Sequence, residues 1–214
     1  MNAPHADRLT LPQRAAVAKL ACGCESAGGV ALLCGPAGAG KTTVLAALAA
    51  AGGTGRTVGL ATAQHWVAAP SLPDIVLADD AHEADGIALA RLLRRCSDRT
   101  PGACLVLAGA GRLFTLAARD PRLEQAIRIR VTLPCFTAAE TRTLFAATVA
   151  GINDREIDVL DSTARVVHEI AAGLPAAVVR LAGLAAVIVA DRPDEPLAAA
   201  DIEAIHERLS LAAA

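Results

Sequence analysis

The first 134 residues alternate between short apolar runs and longer segments whose apolar positions have helical spacing. The apolar runs predict five strands, at 30–34, 57–61, 74–79, 103–109 and 128–133. Helical patterns separate most of them, most clearly at 83–99 and 112–126, and a capping box from Thr10 to Gln13 opens a helix ahead of the first strand. Strands that are apolar throughout and alternate with helices predict a parallel sheet covered on both faces.

Beyond residue 134 the strand pattern ends and only helical patterns follow. Thr137 and Glu140 fit a second capping box, at the start of the first of these helices. Helices are predicted at about 137–149, 155–172, 175–190 and 198–211. We therefore predict an α/β core at 1–134 and an α-helical lid subdomain at 135–214.

A glycine-rich loop joins the first predicted strand to a helix. Its residues match the phosphate-binding pattern G-x-x-x-x-G-K-[ST] in full: Gly35, Pro36, Ala37, Gly38, Ala39, Gly40, Lys41 and Thr42. Such a loop wraps phosphate with backbone N–H groups, so its side chains must be small or absent. We expect nucleotide binding from Gly35 to Thr43, with Lys41 on the β- and γ-phosphates and Thr42 on Mg²⁺. The alternative is an accidental glycine-rich turn, but the strand–loop–helix context is the one that the motif requires.

An acidic pair follows the third predicted strand, in the sequence DIVLADDAHE. An apolar strand that ends in an acid is what a phosphate-loop enzyme needs beside its Mg²⁺. We predict Asp79 as the magnesium ligand and Asp80 as the residue that orients or deprotonates the attacking water. The alternative is an ordinary aspartate-rich turn after a strand.

Four stretches in this order resemble AAA+ ATPases. They are the phosphate loop, LADDAH at 77–82, LAGAGRL at 107–113 and LPCFTAAET at 133–141. More narrowly, the chain resembles the group that holds the A-type ATPases of the general secretion pathway and the target-selection ATPases of DNA transposition. The resemblance extends over about 9–211 and implies a P-loop NTPase fold of AAA+ type, a five-stranded parallel sheet with a C-terminal helical lid. It also implies bound ATP with Mg²⁺ and subunits that complete each other's sites.

Four positions depart from the pattern of that family. Asp80 stands where the family prefers glutamate, and Ala110 stands at the polar sensor position after the fourth strand. Ala176 and Ala126 occupy the positions expected for the lid arginine and for an arginine supplied to a neighbouring subunit. Three arginines remain open as substitutes at the γ-phosphate: Arg128, Arg130 and Arg180. Loss of such an arginine slows hydrolysis but leaves nucleotide binding largely intact.

Other polar and aromatic residues have less specific signals. Arg91, Arg94, Arg95 and Arg99 recur at helical spacing. They indicate either a contact with DNA, an acidic partner or another subunit, or a solvated helix end where the dipole favours cations. Trp66 lies in a short connection between two strands, and we expect it to fill a gap in the layer over the sheet. His82 follows the acidic pair and is a candidate contact of the site.

Composition narrows the choice of partner. The net charge is −2, which argues against an overall basic charge that would attract nucleic acid. Aromatic residues make up 2% of the chain, which argues against a surface that stacks on bases. The six cysteines lack zinc-ligand spacing, and no apolar run is long enough to span a bilayer. We expect a cytoplasmic protein.

These signals together predict a Mg²⁺-dependent ATPase that passes a conformational change to a partner protein, and that forms a homo-oligomer or binds another protein. One alternative is a nucleotide-dependent switch with little turnover, favoured by the missing sensor and arginine positions. Another is a small-molecule kinase, which shares the phosphate loop but needs lid arginines to clamp the phosphates. DNA as a partner is only weakly supported.

Overall fold

The computed structural model describes residues 9–25, 29–52, 55–99, 103–154, 157–193 and 195–212. Contacts between residues divide the chain into two compact units, Met1–Pro134 and Cys135–Ala214. The first unit contains a sheet with helices packed on it. The described residues of the second unit form helices and loops, without a strand.

The sheet of the first unit has five parallel strands. They are β1 Val30–Cys34, β2 Val58–Thr62, β3 Ile75–Asp79, β4 Cys104–Gly109 and β5 Ile127–Thr132. The strand order is β2-β3-β4-β1-β5, so β1 pairs with both β4 and β5. Strands β1, β3 and β4 are buried throughout, whereas β2 and β5 alternate with more exposed positions because they form the edges. The predicted parallel five-stranded sheet is confirmed.

Helices cover both faces of the sheet, and a separate hydrophobic cluster lies under each layer. The helices are α1 Leu11–Glu25, α2 Lys41–Ala51, α3 Ala63–Ala68, α4 Gly86–Ser97, α5 Arg112–Arg119 and α6 Pro121–Ala126. The prediction of a single helix at 112–126 is therefore wrong, because two helices, α5 and α6, cover this segment. Asp120 is extended and accepts hydrogen bonds from the N–H groups of Arg122 and Leu123, while Pro121 occupies the first turn, so a new helix begins there.

The short connection between β2 and β3 contains α3 and is fixed from two sides. Trp66 is buried and its indole Nε1 donates to the carbonyl of Leu77 in β3 at 2.9 Å, which agrees with the expected structural role. On α4, Arg95 donates to the carbonyls of Trp66, Val67 and Ala69 at 2.8, 3.2 and 2.6 Å. These bonds hold the segment against β3.

The four arginines of α4 and its C-terminal end therefore do not act as one surface. Arg99 donates to the carbonyls of Leu72 and Pro73 and pairs with Asp74. Hydrogen bonds from Thr57, with the charge of Arg99, hold the pKa of the Asp74 carboxyl below its usual range. Arg91 and Arg94 remain exposed. Arg95 and Arg99 thus serve the fold, and the partner-contact hypothesis is left with two arginines.

The second unit consists, over its described residues, of α7 Ala138–Asn153, α8 Asp161–Ala171, α9 Pro175–Asp191 and α10 Ala199–Ala212. The capping box is confirmed: Thr137 accepts from the N–H of Glu140, and Glu140 accepts from the N–H of Thr137. Helix α8 begins later than predicted, because residues 157–160 are non-helical. Residues 155 and 156, the predicted start of that helix, lie outside the described residues. Phe145, fully buried, lies in the core of this unit.

Candidate nucleotide-binding site

The glycine-rich loop lies between β1 and α2, at the carboxyl edge of the sheet. Gly38 and Gly40 have positive φ angles of 79° and 91°, a region that side chains strain. A Cβ at Gly35 would lie 3.0 Å from the carbonyl oxygen of Leu133. The backbone therefore requires glycine at these positions, and a loop without side chains there lets a phosphate approach the main chain closely.

Lys41 is the first residue of α2 and is 7% exposed. Its ammonium group donates to the carbonyls of Gly35 and Pro36 at 3.1 and 2.9 Å. A buried ammonium is costly unless it is bonded, and these carbonyls hold it inside the loop. The positive charge consequently lies where the loop and the N-terminal dipole of α2 also favour an anion.

Thr42 and Asp79 are 37 residues apart in the chain but meet at this edge. The hydroxyl of Thr42 donates to Oδ2 of Asp79 at 2.5 Å. The other carboxylate oxygen of Asp79 accepts from the N–H of Asp80 at 2.9 Å, and Asp79 is 7% exposed. A hydroxyl and an oriented carboxylate side by side are hard oxygen donors, which is the ligand chemistry that Mg²⁺ prefers. The residues present therefore fit a magnesium ion held together with a phosphate.

Asp80 begins the turn after β3 and has a positive φ of 49°. Asp is one of the few residues that adopt this left-handed conformation readily. The turn is tied to the rest of the edge, because the N–H of Ala81 donates to the carbonyl of Ala108 at 2.8 Å and the N–H of Glu83 donates to Asp80. The acid predicted to handle water thus follows Asp79 directly on a bonded turn.

The remaining loop positions are accessible to a ligand. Pro36, Ala37 and Gly38 are exposed, and so are Thr42 and Thr43 on the first turn of α2. Ala39 is the exception, because its methyl group packs into the core beneath the loop. The structure therefore brings together the loop, Lys41, Thr42 and Asp79, and Asp80 follows Asp79 in the turn after β3.

The three candidate arginines are separated from this arrangement in different ways. Arg128 is near the start of β5, and its side chain covers Gly29 just before β1, at the opposite end of these strands from the loop. Arg130 pairs with Glu124, with 2.5 Å between Nη2 and Oε1. Arg180 is exposed on α9 in the second unit. Within the first unit, neither Arg128 nor Arg130 is free beside the phosphate loop.

Gln13 and His82 also lie close to the loop or to the strand ends beside it. The sequence indicated His82 as a candidate contact of the site, but it did not indicate Gln13. Gln13 on α1 is 5% exposed, and its Nε2 lies 2.6 Å from the position that a Cβ on Gly40 would occupy. His82 packs against Gly109 at the end of β4, and its Nδ1 is buried with no hydrogen-bond partner among the described residues. The sequence showed Gln13 only as part of a capping box, and nothing local in the sequence indicates its contact with Gly40.

A buried thiol lies directly before the loop. Burial raises the pKa of Cys34 to about 11, and the charges of Lys41 and Arg130 oppose this shift. The same cause raises the pKa of Cys96 on α4 to about 11. Both thiols are therefore protonated at neutral pH, and they act as small apolar groups in the core.

No protein-family model matches the chain, and no curated protein sequence matches it. Solved structures do. The Thermotoga maritima RuvB Holliday junction branch migration motor is 19% identical, with a TM-score of 0.63 over 92% of this chain and 69% of that one. Aeropyrum pernix ORC2, solved in ADPNP and ADP complexes, is 17% identical, with a TM-score of 0.60 over 92% of this chain and 65% of that one.

A third neighbour is the closed state of Hsp104 with ATPγS and casein. It is 13% identical, with a TM-score of 0.61 over 92% of this chain and 42% of the other. Identities this low establish the fold alone. Over its described residues the chain has no helix that is both long and apolar enough to cross a membrane. The chain has the fold of the AAA+ P-loop ATPases.

Proposed function

We propose that this protein binds ATP with Mg²⁺ and hydrolyses it. The observation that carries the proposal is the 2.5 Å contact between the Thr42 hydroxyl and the Asp79 carboxylate beside a complete phosphate loop. Residues that are distant in sequence meet there with the oxygen donors that a metal–phosphate complex needs. The AAA+ fold supports the same function.

The roles proposed for Lys41, Thr42 and Asp79 follow from their contacts, and that of Asp80 follows from its place directly after Asp79. Lys41 exchanges the carbonyls of Gly35 and Pro36 for phosphate oxygens, which are stronger acceptors because they are charged. Thr42 and Asp79 hold Mg²⁺, which when bound neutralises charge on the phosphates. Asp80 orients the water that attacks the terminal phosphate.

A second candidate function, a switch with little turnover, is favoured by two observations. Ala110, after β4, has no side chain that reaches a γ-phosphate by a hydrogen bond. Arg130 is already neutralised by Glu124 at 2.5 Å. Since an arginine at the transition state contributes about 10³–10⁵ in rate, its absence slows hydrolysis and spares binding.

We further propose that the nucleotide state is passed to a partner protein or to further copies of the chain. Support comes from the resemblance to the ATPases of secretion and transposition, whose members act on other components. Arg91 and Arg94 are exposed on α4 and can face an acidic partner, although Arg94 also forms an exposed ion pair with Asp98 at 3.7 Å. DNA is a weaker candidate because the net charge is −2.

The test compares matched lysine variants. Lys41→Met should weaken Mg²⁺–ATP binding by about 10- to 100-fold, because a charge-assisted contact is lost. Lys19→Met, an exposed lysine on α1, should bind ATP like the wild type in calorimetry. Equal affinities for both variants and the wild type would contradict the proposed site.

A phosphate-release assay separates the two candidate functions. Asp80→Asn keeps a residue that tolerates the left-handed turn but removes the charge. If the protein hydrolyses ATP, the wild type should release phosphate, and Asp80→Asn should bind ATP normally but release no phosphate. Tight ATP binding with background release in the wild type, at every protein concentration, would instead support the switch.

A further inference from the structure

Gln13 has an amide nitrogen aimed at the phosphate loop. The residue lies in the first turn of α1 and is 5% exposed. Its Nε2 lies 2.6 Å from the position of a Cβ on Gly40. No described residue accepts a hydrogen bond from this nitrogen, and it is not among the fully buried polar atoms, so water can reach it. A side chain that is mostly buried but keeps one donor accessible beside the loop can exchange water for a ligand acceptor at that position.

One bond of the capping box predicted at Thr10 and Gln13 is present and orients this side chain, whereas the Thr10 hydroxyl has no partner among the described residues. Oε1 of Gln13 accepts from the N–H of Thr10 at 3.1 Å. This bond holds the oxygen, and the nitrogen consequently points toward Gly40. Since an amide oxygen has two lone pairs, Oε1 retains one further acceptor position. The side chain thus offers one acceptor and one donor next to each other.

This side of the loop differs from the metal side. Thr42 faces Asp79, whereas the hydroxyl of Thr43 lies 3.9 Å from the Cβ position of Gly40, near Gln13. Consecutive helical residues point about 100° apart, which places these two threonines on different faces of α2. A nucleoside triphosphate likewise has its terminal phosphates and metal at one end and its base at the other.

We propose that Gln13 reads the base of the bound nucleotide and selects adenine over guanine. The inference rests on the proposed ATP site. A phosphate calls for donors and positive charge, which the loop and Lys41 already supply, and an amide oxygen would repel it. A carboxamide matches the N6 donor and N7 acceptor of adenine. Guanine has an acceptor, O6, in place of the N6 donor, and this oxygen opposes Oε1.

The test uses ligands as well as variants. Calorimetry with Mg²⁺ measures ATP, GTP, 7-deaza-ATP and tripolyphosphate binding to the wild type, Gln13→Met and Gln125→Met. Gln125 is exposed on α6 and provides the matched control. For the wild type we expect ATP to bind about three- to tenfold more tightly than 7-deaza-ATP, which lacks the N7 acceptor, and more tightly than GTP.

Gln13→Met should lose that factor for ATP, bind ATP and 7-deaza-ATP equally, and keep tripolyphosphate affinity. Gln125→Met should match the wild type throughout. Equal binding of ATP, GTP and 7-deaza-ATP to the wild type would overturn the base contact and leave the ATP site standing, and this result does not depend on any variant folding. A parallel loss of ATP and tripolyphosphate in Gln13→Met would overturn it too, since Gln13 would then support the loop. Failure of the wild type to bind any triphosphate would instead remove the proposed function itself.

Discussion

Arg95 links the connection between β2 and β3 to α4, and its removal tests how this connection is held. The guanidinium donates to three main-chain carbonyls, those of Trp66, Val67 and Ala69. Trp66 is 8% exposed, but Val67 and Ala69 are partly exposed. After Arg95→Ala, water can therefore reach two of the three carbonyls, while the carbonyl of Trp66 is the hardest to satisfy.

The size of the effect follows from this difference. A hydrogen bond from a charged donor to a buried acceptor contributes about 1.5–3 kcal/mol, and a bond that water replaces contributes about 0.5 kcal/mol. One bond of the first kind and two of the second predict that Arg95→Ala lowers the free energy of unfolding by about 2.5–4 kcal/mol. Arg94→Ala is the control, because Arg94 is 81% exposed and its ion pair with Asp98 at 3.7 Å is expected to contribute about 0.3–0.5 kcal/mol.

Urea unfolding followed by tryptophan fluorescence measures these values in the relevant unit. Trp66 is the single tryptophan of the chain and lies in the segment that Arg95 holds. Arg95→Lys should give an intermediate loss, since an ammonium keeps the charge but not the planar fork of donors. If Arg95→Ala and Arg94→Ala unfold within about 0.5 kcal/mol of each other, the three hydrogen bonds do not stabilise the fold as argued.

Two further predictions concern the loop and the thiols. Gly40→Ala should destabilise the protein by about 1–3 kcal/mol in urea unfolding, because Gly40 has a φ of 91° and an added Cβ would meet Gln13. Gly86→Ala, at the start of α4, is the control and should be neutral or stabilising, because nothing lies near its Cβ position. Equal effects of the two substitutions would contradict the backbone strain inferred at Gly40. Stability should fall as the pH rises from about 9 to about 11, because unfolded thiols ionise near 9.0 while Cys34 and Cys96 stay protonated in the fold. Each thiol contributes at most about 2–3 kcal/mol, and alanine at either position should flatten the decline measured by unfolding at each pH.

Local chemistry made part of this structure predictable from the sequence. The glycine pattern of the loop, the apolar strands and the capping box at Thr137 each depend on residues close together in the chain. The acidic pair was identifiable because it ends an apolar strand downstream of a complete phosphate loop. Its contact with Thr42 then follows from parallel strands, which place their carboxyl ends at one edge of the sheet.

Contacts between distant segments were not predictable in this way. The helical spacing of the arginines in α4 does not indicate that Arg95 donates to carbonyls of the preceding connection, because arginines at an exposed helix end show the same spacing. The approach of Gln13 to Gly40 depends on the packing of α1 beside α2. The break at Asp120 did have a local signal, an aspartate followed by proline, but the apolar spacing continued through it and favoured one helix.

The left-handed backbone at Asp80 explains the length of the side chain found there. In the AAA+ pattern that the chain resembles, glutamate is preferred at this position, and it would extend one methylene further toward a water molecule. Glutamate, however, enters the left-handed region less readily than aspartate or asparagine. A glutamate at position 80 would place its carboxylate further from the main chain, but it would favour a different conformation of the turn. That turn is held by the N–H of Ala81, which donates to the carbonyl of Ala108. At position 80 a longer side chain therefore comes with a different main-chain conformation, and this couples the proposed role of Asp80 to the shape of its turn.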